Sequence, residues 1–84
     1  MSRGLFAAHA RFQGGERDAS RLLRVAEAEL RAAGLAPEYL ELRDAASLSP
    51  VHAVEREAVM LVAARVGSTR LIDNRLFFAE ARSP

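Results

Sequence analysis

The feature that most constrains this 84-residue chain is the apolar run from Val59 to Ala64. A run this short cannot span a membrane, and because it has almost no polar face it is typical of a β-strand that is buried on both sides. A Gly67-Ser68 break follows, and a second strand-like segment runs from Thr69 to about Leu76. Glycine accepts the positive φ angle that two-residue hairpin turns require. The pattern therefore predicts a β-hairpin whose first strand lies in the centre of a sheet.

A third strand is predicted upstream, between Glu38 and Arg43. There Leu40 and Leu42 alternate with polar residues, which is the period of a strand with one buried face. Between this strand and the hairpin, residues 45–48 favour a single helical turn and residues 51–57 are expected to be irregular. The tail from Glu80 to Pro84 is expected to fray.

Two helices are predicted ahead of the strands. Four residues of the first recur at helical spacing: Leu5, Phe6, His9 and Phe12. Gly14-Gly15 ends this helix, and Asp18 or Ser20 can cap the second one. The predicted apolar face of the second helix consists of Leu22, Leu23, Ala26, Leu30 and Ala33. Gly34 then stands where a helix C-terminus favours glycine, so the second helix is expected to end there.

Together these elements predict a two-layer α+β fold. An N-terminal helical hairpin would pack on a small, three-stranded, mainly antiparallel sheet, because such a sheet is stable only when its apolar face is covered. Residues 1–84 suffice for a single small domain. The sequence shows no internal repeat and no linker.

Composition excludes several classes of function. The formal net charge of +1 provides no strong field for nucleic acid or for an anionic membrane surface. All basic side chains apart from the two histidines are arginines, so neither a Schiff-base lysine nor a P-loop lysine is present. The chain has no cysteine, hence no disulfide and no thiolate chemistry. Without a long apolar segment, the protein is expected to be cytoplasmic.

Four polar residues near the hairpin are the candidate ligand-facing positions. Arg65 and Arg70 flank the turn, where arginines either meet an anion or form ion pairs in solvent. Asp73 and Asn74 close the second strand of the hairpin, where a carboxylate and an amide either touch a ligand or hydrogen-bond the backbone. Both interpretations of each pair remain open from sequence.

No catalytic residue and no metal site is predicted. His9 lies near the apolar face of the first helix without an evident partner for proton transfer. A metal site formed by His52, Glu55 and a distant carboxylate can be drawn, but no spacing selects it. There is no Gly-x-Ser-x-Gly motif and no Gly-rich phosphate loop.

Two segments are specific enough to indicate a family: Tyr39-Leu40-Glu41-Leu42 and Thr69-Arg70-Leu71-Ile72-Asp73-Asn74. With the Ala-rich helices before them, in the same order and at similar spacing, they resemble the C-terminal domain of the pantoate–β-alanine ligases. The resemblance extends over nearly the whole chain and is weakest between Ala45 and Glu57.

The resemblance implies an enzyme that adenylates pantoate with ATP, releasing pyrophosphate, and then displaces AMP with β-alanine to give pantothenate. ATP with Mg²⁺ would act in the full-length enzyme, and none would bind this chain alone. The family's Rossmann domain, with its His-x-Gly-His motif, and its Lys-Met-Ser-Lys-like loop have no counterpart in these residues. We therefore expect a lid domain that is inactive alone and whose partner is the N-terminal catalytic domain.

Two other classes of function remain open. One is a free-standing α+β interaction module that homo-oligomerises through a sheet edge or its helix faces, which would make a homodimer the partner. The other is a domain that binds a small ligand on the sheet face.

Overall fold

The structure, a computed structural model, describes residues 2–77. Five elements follow one another along the chain: α1 (Ser2–Gln13), α2 (Ala19–Ala32), β1 (Pro37–Asp44), β2 (Ala58–Val66) and β3 (Thr69–Phe77). The strands form one antiparallel sheet in the order β1-β2-β3. The predicted α+β fold is thus confirmed, with two helices ahead of three strands. The expected fraying of residues 80–84 concerns positions outside the described residues.

Short polar contacts set the limits of α2. Asp18 is its N-cap, and the Asp18 carboxylate accepts a hydrogen bond from the Ser20 backbone N–H at 3.1 Å. At the other end, the Gly34 N–H donates to Arg31 O and the Leu35 N–H donates to Leu30 O, each at 2.9 Å. These two bonds satisfy carbonyls that the last helical turn leaves without a partner, so the helix stops where the sequence predicts.

The core lies between the helices and one face of the sheet. α1 packs against β3 and α2 packs against β1. The fully buried side chains of this layer include Leu22, Leu30, Val54, Met60, Val62 and Phe77. The helices approach closely at Gly4, where a Cβ atom would lie 2.9 Å from Ala26 O and 3.0 Å from Leu30 Cγ. A small residue at this position therefore determines how near α1 can lie to α2.

The predicted apolar face of α1 is only partly correct. Leu5, Ala8 and Phe12 are buried, whereas Phe6 is 62% exposed and His9 is half-buried. Helical spacing alone does not define the rotation of a helix about its axis, and Phe6 lies one position outside the buried stripe. In α2 the prediction is closer, since Leu22, Ala26 and Leu30 are buried and only Ala33 is exposed.

β2 is the central strand, as predicted, but it is covered on one side only. Ala58, Met60, Val62 and Ala64 face the helices and are buried. On the other side of the sheet, here called the outer face, Val59 and Leu61 are half-buried and the small Ala63 is buried. Within residues 2–77 no element packs over this face. The outward apolar side chains of β2 are therefore not covered by any other element of the described fold.

Residues 45–57 are irregular, apart from one predicted helical turn that closes when the Leu48 N–H donates to Asp44 O at 2.8 Å. The Asp44 carboxylate accepts from the N–H groups of Ala46 and Ser47, both at 2.9 Å. An isolated β-bridge joins Ala53 to Asp18. The loop is thus held by backbone hydrogen bonds and by the Asp44 carboxylate rather than by regular structure.

The hairpin turn depends on Gly67. Val66 pairs with Thr69, leaving Gly67-Ser68 as a two-residue connection in which Gly67 has a φ of 62°. We expect Gly67→Ala to lower the free energy of unfolding by about 1 kcal/mol, because a side chain in this conformation meets the following carbonyl oxygen. Urea denaturation of the 84-residue chain measures the change.

Gly14→Ala is the matched control for that substitution. A Cβ at Gly14 would lie 3.5 Å from Arg11 O, an ordinary contact, so stability should change by less than about 0.5 kcal/mol. Equal losses for the two variants would contradict the assigned role of Gly67.

Candidate functional site

The hairpin brings Arg65 and Arg70 together. They are directly opposite each other in the β2–β3 register, and both point to the outer face. Two like charges in such a pair repel, so the arrangement needs a negative group nearby. Sequence predicted both arginines as candidates but did not predict the group that joins them.

That group is Glu38, placed by an irregularity in the β1–β2 pairing. Pro37 pairs with Ala64 and Tyr39 pairs with Ala63, so Glu38 is an extra residue in β1. Extra residues of this kind redirect a side chain and bend the strand. As a result the Glu38 carboxylate reaches the outer face, where both arginines lie.

Glu38 accepts hydrogen bonds from the two arginines through different oxygens. The distances are 2.8 Å from Arg70 Nε to Oε1 and 3.2 Å from Arg65 Nε to Oε2. These bonds, the one from Arg70 first, lower the pKa of Glu38, and Glu38 in turn raises the pKa of Arg70. The Arg70 guanidinium also lies 5.9 Å from the centroid of the Tyr39 ring. We call Glu38, Arg65 and Arg70 the Glu38 cluster.

The Glu38 cluster has one carboxylate for two guanidinium groups and therefore keeps an excess positive charge. About half of each arginine side chain is exposed, 53% for Arg65 and 46% for Arg70. Glu38 bonds the Nε atoms, and among residues 2–77 the terminal nitrogens of these two arginines make no hydrogen bond. Such groups bind carboxylates or phosphates with defined geometry, so the cluster could hold an anion.

The other two candidates are not brought together. Asn74 pairs with Leu61 on the outer face, whereas Asp73 pairs with Val62 and therefore faces the helices. The Asp73 carboxylate accepts from the Asn74 backbone N–H at 2.8 Å. Of the four predicted positions, three share the outer face, and only Arg65 and Arg70 are joined.

The loop that contains His52 and Glu55 borders a cavity of about 400 Å³. Its walls also include Asp44, whose pKa is lowered because its carboxylate accepts from the backbone N–H groups of Ser47 and Ala46. That carboxylate is therefore committed to holding the loop. Among residues 2–77, no three His, Cys, Asp or Glu side chains are grouped closely enough to hold a metal ion. Neither helix there is long and apolar enough to cross a membrane.

The inward orientation of Arg75 was not predicted from the sequence. Arg75 pairs with Met60, so its side chain points towards the helices. Its guanidinium carbon lies 5.5 Å from the centroid of the Phe6 ring, and its Nε atom is buried without a hydrogen-bond partner among the described residues. The parity of β3 was the available signal, because positions 71, 73, 75 and 77 must share one face.

His9 belongs to an aromatic cluster beside Arg75. Its ring centroid lies 5.1 Å from that of Phe77, edge to face, and 6.0 Å from that of Phe12. Burial, and then the charge of Arg75, lower the pKa of His9 below its ordinary value of 6.5. The sequence favoured a position for His9 at the edge of the core, and the structure confirms it.

The first prediction for this site concerns Glu38→Gln. The substitution removes the negative charge between two arginines, so the unfolding temperature should fall, most strongly at low salt. Because the folded-state pKa of Glu38 is below its ordinary value of 4.5, its contribution is complete above pH 4.5 and is lost as the pH falls further. The difference from wild type should therefore disappear in acid. Glu41→Gln is the control, since within the described part of the chain Glu41 bonds only Arg43.

A second prediction concerns His9. Its folded-state pKa is lowered, so the unfolded chain binds the proton more readily, and stability should decrease as the pH falls below 6.5. His9→Gln should flatten this dependence, measured by urea denaturation between about pH 5 and 8. His52→Gln, at an exposed position, should leave the dependence as in wild type. If His9→Gln behaved like His52→Gln, another group would be responsible.

Comparison with known proteins finds a family that matches this chain. Residues 1–76 match the family described as Pantoate-beta-alanine ligase. The chain is 50% identical over 62 residues to the pantothenate synthetase of Ectopseudomonas mendocina, covering 74% of this chain and 22% of that protein. It is 53% identical over 60 residues to the pantothenate synthetase of Pseudomonas fluorescens strain Pf0-1, covering 71% of this chain and 21% of that protein.

A solved structure is similar as well. The pantothenate synthetase of Thermus thermophilus superposes with a TM-score of 0.76 at 33% identity, covering 88% of this chain and 27% of that one. The chain thus spans only about a fifth of the length of the Ectopseudomonas and Pseudomonas relatives. It corresponds to one part of a larger enzyme.

Proposed function

Because this chain belongs to the pantoate–β-alanine ligase family, we propose that it is the C-terminal lid domain of such a ligase. The observation that carries the proposal is the combination of a family match over residues 1–76 with coverage of only about a fifth of the relatives. A segment of that size, with its own core, is suited to move as one body against the remainder of the enzyme.

The reaction we propose for the whole enzyme is the condensation of pantoate and β-alanine to pantothenate. ATP, with Mg²⁺, would activate pantoate as pantoyl adenylate with release of pyrophosphate, and β-alanine would then displace AMP. The described residues contain no acidic or histidine cluster for the cation, and the chain contains no lysine. We therefore assign nucleotide and metal binding to the N-terminal catalytic domain of a cytoplasmic enzyme, and predict that the 84 residues alone are inactive.

A lid would help this reaction by excluding water. An acyl adenylate is an activated intermediate that water can hydrolyse before the amine attacks it. Closure of a domain over the reacting groups keeps that side reaction slow and strengthens electrostatic contacts inside the site. The contribution of this chain would be to cover and to orient the bound groups, with no proton transfer assigned to its side chains.

Within the lid, we propose that the Glu38 cluster lies on the side turned towards the catalytic domain. Arg65 and Arg70 combine an excess positive charge with exposed guanidinium N–H groups, as required for contact with a phosphate or carboxylate. Asn74 lies on the same face and could add an amide contact. Asp73 faces the helices, so its role would be to orient Asn74 through its bond to the Asn74 N–H.

The test of the lid is a chimera. The Pseudomonas fluorescens enzyme would carry this chain in place of its corresponding segment, and a truncated version lacking the segment would be the control. Pantothenate formation from ATP, pantoate and β-alanine should be present in the chimera and absent from the truncated enzyme and from the 84 residues alone. Activity of the 84 residues alone, or equal activity with and without them, would refute the proposal.

Substitution of Arg70 tests the contact surface. In the chimera, Arg70→Ala should lower kcat/KM by about tenfold, the usual effect of losing one charge-assisted hydrogen bond. Arg24→Ala, on the exposed side of α2, should have no effect and is the matched control. Unchanged turnover of a folded Arg70→Ala chimera would remove Arg70 from the proposed contact surface. Asp73→Ala is tested in the same way.

A further inference from the structure

β3 follows the polarity of a two-layer domain only in part, since Phe77 faces the helices as expected but other positions depart from the pattern. Antiparallel strands with one covered face normally direct apolar residues to the cover and polar residues to solvent. In β3 the charged residues Asp73 and Arg75 face the helices. Ile72 and Leu76 face outward instead, 62% and 45% exposed. Two large aliphatic side chains on the open face of an edge strand indicate that a second layer belongs there.

The neighbouring strand continues this apolar surface. Val59 pairs with Leu76, and Ala63 pairs with Ile72, so outward apolar side chains of β2 and β3 are neighbours, interrupted by Asn74 between Ile72 and Leu76. We call this apolar surface the outer strip; its accessible side chains are Val59, Leu61, Ile72 and Leu76. It lies on the outer face, where no element of the described fold covers the apolar side chains of β2.

Charged residues border the outer strip on two sides. The Glu38 cluster lies at its hairpin end, and the ion pair of Arg43 with Glu41, 2.9 Å apart, lies along β1. An apolar centre with a charged rim is the usual anatomy of a protein–protein interface. A solvated sheet face would instead carry polar residues throughout.

We propose that the outer strip is the surface on which the rest of the larger ligase packs, with Ile72 as its central anchor. The inference rests on the proposed function for the identity of the occupant, and on the geometry of β3 for the surface. About four-fifths of the relatives' length lies outside the segment they share with this chain. Residues 2–77 place both helices on the opposite face, so the second layer must be supplied by other residues.

Charge argues against a second copy of this chain as the occupant. The rim contains Arg43, Arg65 and Arg70 against Glu38 and Glu41, an excess of positive charge. An identical face would present the same excess, and juxtaposed like charges weaken association. A different protein surface can instead supply the complementary carboxylates.

The experiment uses the absence of cysteine from the chain. Ile72→Cys places a thiol on the outer strip, and Leu48→Cys places one at an equally exposed position, 56%, on the loop. Each variant is labelled with a maleimide, in the isolated 84-residue chain and in the Pseudomonas chimera, and the labelled peptide is followed by mass spectrometry. Leu76→Cys serves as a second probe if the chimera with Ile72→Cys is not folded.

In the isolated chain both thiols should react at similar rates. In the chimera the rate at position 72 should fall by about tenfold or more, while that at position 48 should not change. Equal rates at position 72 in the two contexts would overturn the proposal. Protection that appears in the isolated chain as its concentration rises would overturn it too, because a second copy would then be the occupant.

The labelling result is independent of the assay for pantothenate. Protection at position 72 in an inactive chimera would leave the docking surface standing and count against the lid function. An active chimera in which position 72 is not protected would support the lid function and overturn the docking surface.

Discussion

Strand β2 hydrogen-bonds to both other strands, and the positions of the helices follow from that arrangement. Its helix-facing side chains, among them Met60 and Val62, are fully buried. α1 and α2 each cover one of the flanking strands, so the seam between the helices lies above β2. Full burial of a side chain of this size contributes about 1.5–3 kcal/mol, and α2 supplies a matching pair, Leu22 and Leu30, from the other layer. Loss of this strand would remove the sheet and, with it, the surface on which both helices rest.

Local patterns in the sequence predicted the elements well because their causes are local. Asp18 caps α2 through a neighbouring N–H, and Gly67 turns the hairpin through its own φ angle. The errors arose where a distant partner decides. Phe6 is exposed because the rotation of α1 is set by its packing on α2 and β3 rather than by spacing along the helix.

The candidate site also combines features with local causes and features that depend on a distant residue. Arg65 and Arg70 could be chosen from their position at the turn, but Glu38 is distant in sequence and reaches them only through an extra residue in β1. No pattern in a single sequence reveals such a shift in register. The separation of Asp73 from Asn74 was predictable, because adjacent residues of a strand point to opposite faces. Arg75 could have been found by the same parity rule.

The packing of α1 on β3 also has a consequence for the order of folding. His9 and Phe12 complete their aromatic contacts only with Phe77, at the far end of the described chain. During synthesis α1 can pack on α2, with which its contact is most extensive, but closure of the core has to wait for the last strand of the described sheet. Contacts of such large sequence separation slow folding, and they leave the nascent domain open to misassociation until β3 has been made.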